Sequence, residues 1–183
     1  MASPIKPALQ IGLALIACGP AAFAQTWPAQ FASGPGAIGY VAIGVTLPLL
    51  RDGRLSKGHF WRGCEALGAT ITLTEALKAA THVPRPDSGT HDSFPSGHAS
   101  ATFCVATMES QFHPKEAPFW YAGAALIADS RLVLNRHRPS DVIAGAALGY
   151  LTARAELSSR HGWVIAPLIG GDGTYGLMAS KRF

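Results

Sequence analysis

Prolines and glycines cut this chain of 183 residues into five apolar runs of helical length. The first predicted helix covers about 37–51, with Pro48 expected to kink it and Asp52-Gly53 to end it. The second covers about 57–81. Leu67, Ile71, Thr74 and Lys78 share one helical stripe there, and Pro84 and Pro86 close the segment. The third opens at the Ser96-Gly97 turn and runs to about Phe112. The fourth covers about 117–134. The fifth covers about 139–158, with Pro139 suited to a first helical turn. The expected class is all-α, a helical bundle of about five core helices. The end differs. Trp163 to Leu168 is strand-like, Gly170 to Gly173 reads as a turn, and Tyr175, Leu177, Ala179 and Phe183 recur at even spacing. This pattern predicts a C-terminal β-hairpin.

The expected organisation is a signal peptide at 1–24, a helical domain at 25–160 and a hairpin extension at 161–183. Lys6, the apolar run Ile11 to Ala17, the breaker Gly19-Pro20 and the small residues Ala22-Phe23-Ala24 make an export signal. A second reading stays open: Leu15-Ile16-Ala17-Cys18 resembles a lipobox, which would place a lipid on Cys18. The position of the breaker favours cleavage after Ala24. Either reading puts the domain outside the cytoplasm, in the periplasm. The exported pair Cys64 and Cys104 then has two possible states, a disulfide or free thiols in apolar helices. Residues 25–35 read as an irregular lead-in because of Pro28, Gly34 and Pro35.

Glu65, Glu75, Lys78, Glu109 and Asp129 interrupt the apolar runs, which extend only 11–15 residues, and mean hydropathy is +0.19. A bilayer core asks for about 20 consecutive apolar residues. A soluble domain with surface association to a membrane is therefore expected. The formal charge of +4 is not gathered into a stripe, which argues against nucleic acid and suits an anionic substrate or surface. Oligomeric state is not legible.

Three short runs carry the chemistry: Lys78-x6-Arg85-Pro86, Pro95-Ser96-Gly97-His98, and Ser130-Arg131-x5-His137-x3-Asp141. Each alone has an ordinary explanation, such as a solvated lysine, a loop or a basic surface patch. Together they supply what phosphoryl transfer needs. Lys78, Arg85 and Arg131 offer permanent positive charge, and the guanidinium fork matches phosphate oxygens. Ser96 and the first amides of a helix, at Gly97 and His98, make an anion cradle. Asp141 lies four residues from His137, one helical turn, and can hold its tautomer so that Nε2 attacks phosphorus. His98 is left as the general acid. His59, His82, His91, His113 and His161 fit no metal-ligand spacing and read as surface or loop residues.

These runs are similar, position for position, to the signature of the type-2 phosphatidic acid phosphatase superfamily. That group holds class A acid phosphatases, lipid phosphate phosphatases and vanadium haloperoxidases. The resemblance covers roughly residues 36–160. It implies a phosphohistidine on His137, His98 as acid and Asp141 as its orienting carboxylate. It also implies phosphate binding by Lys78, Arg85, Ser96, Gly97, His98 and Arg131, and no metal or cofactor. The partner is then a small-molecule or lipid phosphate. Only Asp87 to Phe94 separates the first two runs, short for the family, so the loop that often shapes the mouth is trimmed. Two other functions share these residues: a haloperoxidase holding vanadate on His137, and a non-catalytic envelope protein that binds anions.

Overall fold

The computed structural model describes residues 26–159, 163–169 and 175–181. Positions 1–24, with Cys18, and His161 lie outside the described residues. The helices are α1 (Thr26–Phe31), α2 (Ala37–Arg51), α3 (Ser56–Thr81), α4 (Gly97–Phe112), α5 (Ala117–Val133) and α6 (Pro139–Ser158). A π-helical turn, Ala32–Gly36, joins α1 to α2. The five core helices α2–α6 lie where the breakers put them, and the fold is all-α. Beyond α6, β1 (Trp163–Ile169) and β2 (Tyr175–Lys181) are extended and run antiparallel.

The lead-in expectation fails. Residues 26–36 are helical and continuous with α2. Pro28 stands in the first turn of α1, where a missing N–H costs no bond, and Pro35 is absorbed by the wider π turn. The result is a helical stretch, Trp27–Arg51, of 25 residues with hydropathy 1.4, long and apolar enough to cross a membrane by length and composition. The runs of 11–15 residues counted from sequence stop at Pro and Gly, and the helix does not. Trp27, Phe31, Ile38, Ile43 and Leu50 stand exposed along it.

α4 is the axis of the bundle. Nearly every residue from Ala99 to Glu109 is buried. Ala99, Phe103 and Ala106 of α4 pack with Tyr121, Ala124 and Ala128 of α5 and Val142 and Ala146 of α6. Glycine sets the spacing of α6 on α4. A Cβ at Gly149 would lie 2.0 Å from the Ser100 carbonyl oxygen, and one at Gly145 would lie 2.4 Å from that of Ser96. The two backbones touch, which holds the start of α4 against the start of α6. Hydroxyl pairs tie in α3: Thr74 Oγ1 to Ser100 Oγ at 2.9 Å, and Thr70 Oγ1 to Thr152 Oγ1 at 2.5 Å. Cys64 and Cys104 are free thiols, the latter fully buried.

Candidate active site

The three sequence runs meet where α4 and α6 begin. Ser96 caps α4, its Oγ accepting from the Ala99 amide at 3.5 Å, and is wholly buried. The Ser96 amide donates to the Asp141 carbonyl oxygen at 2.9 Å, which pins the two helix starts together. Lys78 leaves the last turn of α3 beside them. Its Nζ would lie 3.5 Å from a Cβ at Gly97, so its charge sits at the N-terminus of α4. It pairs with the exposed Glu75, at 2.9 Å.

Arg131 closes α5. Asn135 then takes a left-handed φ of 53°, which suits a short polar side chain. The chain doubles back so that the Arg136 amide donates to the Arg131 carbonyl oxygen at 2.9 Å. This turn carries His137 into the interior. His137 is therefore not on a helix, and its spacing to Asp141 spans the cap of α6. The separation from Nδ1 to Asp141 Oδ2 is 3.8 Å, too long for a hydrogen bond. Ser93 stands between them: its hydroxyl donates to Asp141 Oδ2 at 2.7 Å and lies 3.5 Å from His137 Nδ1. Asp141 Oδ2 also accepts from the Arg138 amide at 2.9 Å, which closes the α6 cap. Nδ1 faces this group, which leaves Nε2 on the other edge of the ring.

Arg85 lies in the turn after α3, with Nη2 donating to Asp92 at 2.7 Å. Among the described residues its Nε is buried without a hydrogen-bond partner, and so is the Nε of Arg131. A buried N–H without an acceptor is costly, and both donors belong to arginines that the sequence runs assign to phosphate. The electrostatics agree. His137 is pushed down to about 4, first by burial and then by Arg131 and Arg85. His98 is lowered by burial and then by Arg131. Arg131 is lowered to about 10, by burial and then by Arg85 and Arg136. The fold gathers positive charge around two imidazoles, and that charge disfavours the protonated form of both.

A model of the PAP2 superfamily matches residues 60–164, more than half of the chain. The chain belongs to this superfamily. It is 36% identical over 125 residues to the lipid A 1-phosphatase of Porphyromonas gingivalis, covering 64% of this chain and 27% of that protein. It is 39% identical over 62 residues to the bacitracin transport permease protein BcrC of Bacillus licheniformis, covering 34% and 30%. The chain thus spans less than a third of the length of these curated relatives. The transmembrane PAP2-type phosphatidylglycerolphosphate phosphatase of Bacillus subtilis shares the fold, with a TM-score of 0.54, 21% identity and 81% of both chains covered.

The PAP2 site has neighbours that the sequence did not announce. Ser93 is one, a buried hydroxyl in a loop with no motif around it. Ser33, in the π turn, is another. Its carbonyl oxygen accepts from His98 Nε2 at 2.8 Å, and its Oγ bonds Arg131 Nη1. A cavity of about 540 Å³ opens beside Lys78, Gly97 and His98, walled by Ala37, Ile38, Val41, Ile71 and Ala101. Ile71 and Thr74, read as one packed stripe, divide the work: Thr74 is buried, whereas Ile71 is exposed to this cavity. His82 and His91 are exposed, as expected. His59, on α3, and His113, in the loop after α4, are partly buried. They sit in an ion cluster at the other end of α4.

Proposed function

We propose that this protein is a metal-independent phosphatase of lipid phosphates, working through a phosphohistidine on His137. The observation that carries the reading is the pair of buried, unpartnered guanidinium Nε–H donors, Arg85 and Arg131, whose charges depress the pKa of a buried histidine. Such donors are complementary to the equatorial oxygens of a phosphoryl group in transfer. His137 starts neutral, as a nucleophile must. Its Nε2 bonds phosphorus as the bond to the leaving oxygen breaks. His98, protonated, gives its Nε2 proton to that oxygen. A water then attacks phosphorus, His98 takes its proton, and the P–N bond breaks to release phosphate. Asp141, through Ser93, holds Nδ1 and stabilises the positive ring. Lys78, Ser96 and the Gly97 and His98 amides complete the cradle.

The apolar cavity beside His98 favours a lipid over a small soluble ester. The relatives point the same way, one being a lipid A phosphatase and one a phosphatidylglycerolphosphate phosphatase. The exposed apolar face of α1–α2 is the element we read as meeting the membrane, on the periplasmic side if the leader acts as an export signal. The C-terminal strands are read as a hairpin appended to the bundle. Phosphate release from a lipid phosphate and an aryl phosphate, each with EDTA present, tests the reading. Faster release from the lipid, abolished by His137→Ala, is expected. Activity that needs an added divalent ion would refute it.

A further inference from the structure

We infer that the π turn Ala32–Gly36 is a strap that occupies the anion site in the resting protein, and that substrate phosphate must displace Ser33 to bind. This rests on the anion-site reading above and adds a gate to it.

Ser33 offers two oxygens to two donors. Its carbonyl oxygen takes the Nε2–H of His98 at 2.8 Å, and its hydroxyl oxygen is bonded to Arg131 Nη1. A carbonyl only accepts, so the proton resides on Nε2. The catalytic cycle needs these same donors, His98 Nε2–H for the leaving oxygen and Arg131 for a phosphoryl oxygen. A single N–H cannot serve two acceptors at full strength, so competition at His98 is direct. At Arg131 it is partial, since Nε remains unpartnered.

The strap has the means to move. Nothing lies within 4 Å of a Cβ built on Gly34, so one side of the turn faces open space. Pro35 supplies no N–H, and π turns inside helices are frequent at functional positions. The next residues, Ala37 and Ile38, wall the apolar cavity. An acyl tail lodged there presses on the same stretch of backbone, so head and tail of one lipid act together on the strap.

The test titrates inorganic phosphate onto the full chain and onto Ser33→Ala, reading affinity by calorimetry and amide exchange across residues 32–37. Phosphate should accelerate exchange in the strap of the wild type. Ser33→Ala should bind phosphate roughly tenfold more tightly, the scale of one hydrogen bond to a charged group. Unchanged or slower exchange would overturn the strap, as would affinity unchanged or weakened in Ser33→Ala, or no binding to either protein. Neither readout needs turnover. Phosphate binding with strap displacement, in a protein that hydrolyses no phosphate ester, would sink the phosphatase reading and leave the strap standing.

Discussion

Helix α4 carries a half-buried histidine and charged partners at each end, and the two ends are built in opposite ways. At its start, His98 lies among Lys78, Arg85 and Arg131, which lower it after burial does, and buried Nε–H donors are left over. At its finish, His113 donates to Asp52 at 2.9 Å and to Glu109 at 3.0 Å, and His59 pairs with the other oxygen of Asp52. Arg51 and Glu116 close that end at 2.6 Å. There burial lowers His113, but the bonds to Asp52 and Glu109 outweigh it and the net shift is upward. One end keeps an excess of positive charge, which we read as a phosphate site. The other pairs its charges across the cluster, with Glu109 Oε1 buried and lacking a hydrogen bond among the described residues, and ties the α2–α3 corner to the α4–α5 corner.

Substitutions should therefore split by end. The largest effect belongs to His137→Ala, which should cut kcat by at least about 10⁴-fold with the melting temperature nearly unchanged. Arg131→Lys should follow at about 10²–10³-fold, since an ammonium cannot reproduce the fork. A large loss of stability in either would erase the distinction between the ends.

Gly149→Ala probes the seam that sets the catalytic end. Its Cβ would meet backbone at 2.0 Å, which a rotamer change cannot relieve. Overpacking of this kind costs about 1–3 kcal/mol. Denaturant unfolding should show that loss, together with reduced activity from a displaced Ser96. Ser93→Ala should cost roughly tenfold in kcat with KM kept, because only the hold on His137 Nδ1 weakens. An unchanged kcat would remove Ser93 from the site.

The smallest effects are in pH. Turnover needs His98 protonated and His137 neutral. His98 is lowered by burial and then by Arg131, so kcat/KM should already be falling as pH rises through 6.5, and it should fall again in acid as His137 protonates at about 4. Stability should trace the other end. The raised His113 contributes stability below its unfolded value of 6.5, lost as pH rises through its folded value. Glu109, pushed up to about 7 chiefly by burial, loses stability as pH rises from 4.5 through 7. Asp52, held down by His59 and His113 against burial, contributes above 3.8 and loses it in acid. His137, lowered to about 4, and His98, also lowered, pull the other way and lose stability as pH falls below 6.5, so the His113 end of the molecule shows itself as a decline in melting temperature above pH 6.5. His113→Gln should flatten that decline without moving the activity profile.

The meeting of the three runs was readable because they are short and the breakers that bound the helices also present them. Pro139 and the Ser96-Gly97 turn mark both helix starts that build the cradle. What escaped depends on pairs far apart in sequence. Ser33 meets His98 across 65 residues, and Asp52 meets His113 across 61. Ser93 sits in a loop whose burial is decided only when α6 packs. The helical lead-in was hidden because Pro28 and Pro35 look like breakers until a first turn and a π turn accommodate them.

Rapid acid-free quench of the protein during turnover of a labelled phosphate ester, followed by peptide mapping, tests the central claim most directly. Label held by an alkali-stable, acid-labile bond on the peptide containing His137, and absent in His137→Ala, is the predicted result. Hydrolysis at the normal rate with no label on His137 would contradict it.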